Sequence, residues 1–174
     1  MIQPTNSSNR ILRPAKNWFI GLTLICALLA NILPVGRLPG FPDWVALTLA
    51  FWCVREPLRI GMGIAFLLGL TMDIVDASVI GQHPLAYIML AYAANSLSRR
   101  ILWFPLMKQA MHILPMLLLA QLVMLGIRLA TGAQFPGLIY FVSSFVAILF
   151  WYPFSFLLLL PQYQPQEKDE NRPI

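Results

Sequence analysis

Between Asn17 and Leu160 the chain is a series of apolar runs, separated by short stretches that hold nearly all of its charge. That pattern limits the fold more than any motif does. A typical bilayer core takes about 20 apolar residues to cross, and about 17 at the least. The runs fall at 17–33, 44–54, 58–75, 84–97, 106–130 and 138–160. The second is short. Starting it at Pro42, a residue favoured in the first helical turn, lengthens it a little, but it still needs a thinned bilayer or tight packing. Only 11% of the residues are charged and 59% are hydrophobic, against about 25% charged in an ordinary soluble domain. The expected fold is therefore all-α: a polytopic membrane bundle of six transmembrane helices over 17–160. A polar tail (1–16) precedes it and a disordered, proline-containing tail (161–174) follows. Pro115 and Pro153 should kink the fifth and sixth helices.

The basic residues give the orientation. With six spans and the N-terminus in the cytoplasm, Arg10, Arg13, Lys16, Arg55, Arg59, Arg99, Arg100, Lys108, Lys168 and Arg172 fall inside. Only Arg37 and Arg128 fall outside. Dropping the short second span would break this asymmetry, so the positive-inside rule supports six crossings with both termini cytoplasmic. No cleavage-site pattern follows the first run, which reads as a retained span. The net charge of +5 does not point to nucleic acid, because the cations punctuate apolar runs and form no groove. Cys26 and Cys53 lie inside apolar runs without CxxC spacing and read as buried free thiols.

One segment combines small residues with acids: GMGIAFLLGLTMDIVDASVIG, Gly61–Gly81. On a helix, Gly61, Ala65, Gly69 and Asp73 follow at i, i+4, and Asp76 falls angularly between Ala65 and Gly69. A small-residue face lets helix backbones approach closely in lipid, and ionisable groups inside a span turn toward protein or a wet cavity. Three readings of Asp73 and Asp76 are open: a packing or partner surface, simple solvation at the helix end, or an ion path. Helix propensity explains neither, since acids at a helix C-terminus oppose the macrodipole. Arg128, toward the same side, either pairs with one of them or snorkels to the interface. His83, read as an outer-loop residue, and His112 have no second ligand at metal-binding spacing. No nucleophile–base pair is in evidence. Asn31, Asn95 and Gln121 read as interhelical hydrogen-bonding groups, and the five tryptophans as an aromatic belt at span ends. No catalytic, cofactor or metal site emerges.

Two stretches carry a family resemblance. FPDWVALTLAFW (Phe41–Trp52) has Pro42 and Asp43 opening a short apolar segment that ends in Phe51 and Trp52. After a basic loop comes GMGIAFLLGLTMDIVDASVIGQHPLAY, with Gly61, Ala65, Phe66, Gly69, Leu70, Asp73, Gly81 and Leu85 in order. This combination resembles the MreD family of bacterial rod shape-determining membrane proteins. The resemblance implies a six-helix fold like the substrate-binding component of ECF-type vitamin transporters. It also implies a non-enzymatic scaffold subunit of the cell-elongation machinery, binding MreC and, through it, MreB, RodA and a class B penicillin-binding protein. Residues expected to serve partner binding or packing are Pro42, Asp43, Gly61, Ala65, Gly69, Asp73, Asp76, Gly81 and Arg128. The alternative is a vitamin-type small-molecule transport subunit, which requires a polar pocket near the outer side.

Overall fold

The computed structural model describes residues 15–33 and 40–162. Most of both tails and residues 34–39, and with them Arg10, Arg13, Arg37, Lys168 and Arg172, lie outside the described residues. Six helices follow in order: α1 Asn17–Ile32, α2 Trp44–Arg55, α3 Met62–Val75, α4 Gln82–Leu102, α5 Leu106–Ala130 and α6 Ile139–Leu159, then a single 3-10 turn at Leu160–Gln162. At 1.5 Å per residue they differ widely in length, from about 18 Å for α2 to about 38 Å for α5. Among the described residues, only α5 and α6 (with its terminal turn) are both long and apolar enough to cross a membrane by length and composition. α1, α2 and α3 are shorter apolar helices.

The shortest helix sits at the centre. Every residue from Val45 to Val54 is buried, and α1, α4, α5 and α6 all pack on α2. A helix apolar on every side needs such a position. Surrounded by protein, α2 has little need to match the bilayer thickness by itself. It begins at Trp44 rather than Pro42, because the Asp43 side chain caps it by accepting a hydrogen bond from the Ala46 N–H.

Elsewhere the helices are two-sided. On α1, Ile20, Leu24, Ala27 and Asn31 are buried, whereas Trp18, Leu22, Ile25 and Leu29 are exposed. The outer faces of α5 and α6 likewise present Met111, Leu122, Phe145, Leu149 and Phe156. Outward-facing apolar stripes of this extent mark a surface that meets lipid or a partner. Trp52 and Trp151, expected in the aromatic belt, are instead fully buried, and Cys26 is exposed rather than buried. In both cases the residue lies within an apolar run, and a run does not say which side faces out.

The expected helix ends shift at two places. α3 starts at Met62, not Leu58, because Glu56–Ile60 form a turn closed by Arg59 N–H and Ile60 N–H to the Glu56 carbonyl. α4 starts before Pro84 and runs on past Leu97, with Arg99 and Arg100 in its last turn, where cations suit the helix dipole. Pro115 and Pro153 lie inside continuous α5 and α6.

Hydrogen bonds tie the helix ends together at one end of the bundle. The Ala15 N–H donates to Glu56, and the Arg59 guanidinium donates to the Ala15 carbonyl. Asn95 Nδ2 donates to the Ile60 carbonyl. Lys16, Arg55, Arg59, Arg99, Arg100 and Lys108 are thereby placed at or near this end, and Arg128 at the other.

Candidate functional site

The end opposite the basic cluster holds two carboxylates, Asp73 buried and Asp43 partly buried, each fixed by several donors. Asp73, in the last turn of α3, is 1% exposed. Its Oδ2 accepts the Gly81 N–H at 2.6 Å. Its Oδ1 accepts the Ser78 hydroxyl at 3.0 Å and the His83 N–H at 3.0 Å, and lies 2.7 Å from His83 Nδ1. A carboxylate only accepts, so Nδ1 carries the proton. The acid that opposes its own helix dipole is thus taken up by the loop 76–81 and the first turn of α4. Gly81 itself has φ +100°, a conformation suited to glycine.

The same seam is drawn tight at Gly69. A Cβ there would fall within 2.7 Å of the His83 carbonyl carbon and nearer still to the backbone N and Cα of Pro84. Pro84 has no N–H to lose at this contact. Ala65, one turn earlier, is fully buried. Gly61 caps α3, and a Cβ on it would meet nothing. Close approach of backbone is therefore shown at Gly69, which α4 covers, and Ala65 is buried one turn away on the helix that packs most extensively on α4.

Asp43 joins three elements. Oδ1 accepts Asn31 Nδ2 at 2.8 Å and the Ala46 N–H at 3.0 Å, and Oδ2 accepts the Tyr87 hydroxyl at 2.7 Å. Asn31 returns a bond by accepting the Trp44 N–H at 3.0 Å. The end of α1, the start of α2 and the second turn of α4 are locked together here. Pro42, just ahead of the cap, is buried.

Between these two clusters lies a cavity of about 670 Å³, lined by residues of all six helices and of the loops at this end. Asp43, Asp76, His83, Gln82, Arg128 and Tyr140 supply much of its polar wall. Asp76 ends α3 as its C-cap, with Oδ2 4.0 Å from His83 Nε2. Arg128 does not reach Asp73, whose oxygens are occupied by the loop. On the opposite wall Gln121 Nε2 donates to the Ser143 hydroxyl and to the Tyr140 carbonyl, and the Ser144 hydroxyl donates to Gln121 Oε1. Among the described residues, no group of three or more His, Cys, Asp or Glu is arranged to hold a metal ion.

A second opening differs in kind. Between α1 and α6 a groove of about 480 Å³ is lined by Phe19, Leu22, Cys26, Ala27, Ala30, Phe154 and Leu157, with Trp44 and Thr48 of α2 also in its lining. Its surface is almost wholly apolar.

The family model for the rod shape-determining protein MreD matches residues 13–160. The chain belongs to the MreD family. The rod shape-determining protein MreD of Haemophilus influenzae is 29% identical over 151 residues, covering 82% of this chain and 89% of that relative. No solved structure matches the chain. Membership makes this a membrane protein with a place in cell-shape determination, in a family not known for enzymes. The matched span holds Asp43, Gly69, Asp73 and Gly81. It also holds Asn31, which makes the interhelical hydrogen bonds expected of it, and His83, Gln82 and Tyr87, whose part at this end the sequence alone had not disclosed. His83 was open to discovery, ten residues beyond an acid that lacked a donor. Tyr87 was not, because the 44 residues separating it from Asp43 cross two loops.

Proposed function

We propose that the chain is a non-enzymatic scaffold subunit of the bacterial cell-elongation machinery in the inner membrane. It crosses the membrane six times with both termini in the cytoplasm, and it holds the single transmembrane helix of MreC. Through MreC it meets MreB, RodA and a class B penicillin-binding protein. The observation that carries the choice of docking face is the α1–α6 groove. It is apolar, it lies beside outward-facing apolar stripes, and small side chains (Ala27, Ala30) line it. The Ala65–Gly69 face is less suited, because α4 covers it and a partner would have to displace a helix.

Cys26 provides the test. It is exposed and lines the groove, whereas Cys53 is buried. Single cysteines are placed along the MreC transmembrane helix and the co-expressed pair is oxidised in membranes. The reading expects cross-links to Cys26 from positions repeating at three- and four-residue intervals. Co-purification of the pair without any Cys26 cross-link rejects the groove. Depletion of the protein addresses the wider role: rounding of rod-shaped cells supports the scaffold, whereas a nutrient requirement with normal shape supports the vitamin-type transport subunit.

A further inference from the structure

We propose that the cavity between the Asp43 and Asp73 clusters binds a small soluble organic anion, a carboxylate or phosphate ester with an apolar body. Arg128 and Tyr140 hold its charge and Gln82 reads a second polar group. This goes beyond the scaffold role and does not rest on the α1–α6 groove.

The starting point is which polar groups of the wall are already occupied. Asp43 accepts from Asn31, Ala46 and Tyr87. Ser78 donates to Asp73. Gln121 is engaged with Tyr140, Ser143 and Ser144. Asp76 faces the His83 imidazole. Three groups stand apart. Gln82 is 4% exposed and lines the cavity, and its carboxamide makes no hydrogen bond among the described residues. Its neighbours Gly81 and His83 satisfy Asp73 and leave the amide out of that network. The half-buried Arg128 guanidinium also lines the cavity and has no hydrogen-bond or ion-pair partner among the described residues. The Tyr140 hydroxyl has only a 3.6 Å contact with Met124 Sδ, a weak acceptor.

The Gln82 side chain is almost wholly enclosed, yet its amide opens on the cavity space, where a bound molecule can take up its hydrogen-bonding atoms. A cation, a phenolic donor and an amide with both donor and acceptor atoms together suit an anion bearing one further hydrogen-bonding group. Met72, Leu117, Met124 and Ala147 line the same space and suit an apolar body. A volume of about 670 Å³ lies within the usual range for small-molecule sites, about 300–1,000 Å³. Because all six helices and the loops line it, a soluble ligand entering between loops is favoured over a lipid entering between helices.

The full chain is purified in detergent and its thermal unfolding followed with two matched pairs of probes. These are N-acetyl-L-leucine against its neutral amide, and n-butyl phosphate against 1-butanol. At least one acid should raise Tm in a saturable way while its neutral partner does not. Arg128→Gln should weaken that acid about tenfold, as loss of a charge-assisted bond implies. Gln82→Leu should weaken it while preserving the preference for acid over amide. The acid-versus-neutral comparison needs no variant, so misfolding of either substitution leaves the test intact. Equal effects of acid and neutral partner, an unchanged response in Arg128→Gln, or no shift with any probe would each overturn the proposal. Stabilisation by phosphatidylglycerol micelles with no effect of the soluble acids overturns it too, in favour of a lipid headgroup.

Discussion

The α3–α4 seam and the α1–α6 groove are both places where helices meet, yet they are built in opposite ways. At the seam, Gly69 gives up its side chain so that α3 can lie against the backbone of His83 and Pro84, and Asp73 binds the connecting loop through the donors it accepts. At the groove, α1 and α6 stand apart over the start of α2, and the lining is almost entirely apolar. Small residues in a membrane helix mark where backbones approach, but they do not say whether the other backbone belongs to the same chain. Here the strongest small-residue signal was spent within the chain. The opening left for another helix is marked by larger apolar groups, which resemble ordinary lipid-facing surface.

The two regions should therefore respond differently to substitution. The largest loss is expected at Asp73. Asp73→Leu leaves the Gly81 and His83 N–H groups, the Ser78 hydroxyl and the His83 ring without their acceptor. It should cost about 3–5 kcal/mol, read as a collapse of Tm in detergent. Asp73→Asn retains an acceptor oxygen and should lose clearly less. Equal loss in both would mean that the loop does not depend on these bonds. Next comes Gly69→Ala. The added methyl meets backbone on the facing helix, which cannot swing aside as a side chain can. A loss near the upper end of about 1–3 kcal/mol is expected, and an unchanged Tm would mean that the seam is looser than its geometry.

Tyr87→Phe should cost less, about 1.5 kcal/mol. It removes one charge-assisted hydrogen bond, while Asp43 keeps Asn31 and the Ala46 N–H. The same thermal unfolding measurement checks it. A loss as large as that of Asp73→Leu would make the Asp43 cluster, not the seam, the main tie at this end.

Residue chemistry shows why some of this was legible beforehand and some was not. Apolar runs located all six helices, and α5 matched from Leu106 to Ala130. They misplaced α4, because a helix continues through Ser96–Arg100 after its apolar run has ended. The cap at Asp43 is a local feature, three residues from the N–H it accepts. Asp73 carried a readable sign of its role in opposing the helix dipole. Its donors Ser78, Gly81 and His83 all lie within ten residues. The Tyr87–Asp43 bond and the cavity depend on how four or more helices are arranged, and no local pattern encodes that arrangement. Burial of α2 was partly legible: its shortness argued against lipid contact on all sides, but the run alone could not show protein on every face.

The smallest effect on stability is expected in the groove. Ala30 lines it and is partly exposed, so Ala30→Trp places a large ring into open apolar space without displacing backbone. Folding stability, followed through Tm, should stay within about 0.5 kcal/mol of the parent, as for a surface change away from the core. Recovery of the proposed partner, MreC, should fall about tenfold, equivalent to about 1.4 kcal/mol of binding. Gly69→Ala supplies the opposite pattern, with stability lost first and partner recovery falling only as folded protein is lost. If Ala30→Trp proves as destabilising as Gly69→Ala, the groove is closed in the membrane. If it leaves both Tm and recovery unchanged, the groove faces lipid and the partner docks elsewhere. Only the combination of an intact fold with a weakened partner separates a surface that holds the chain together from one that holds something else.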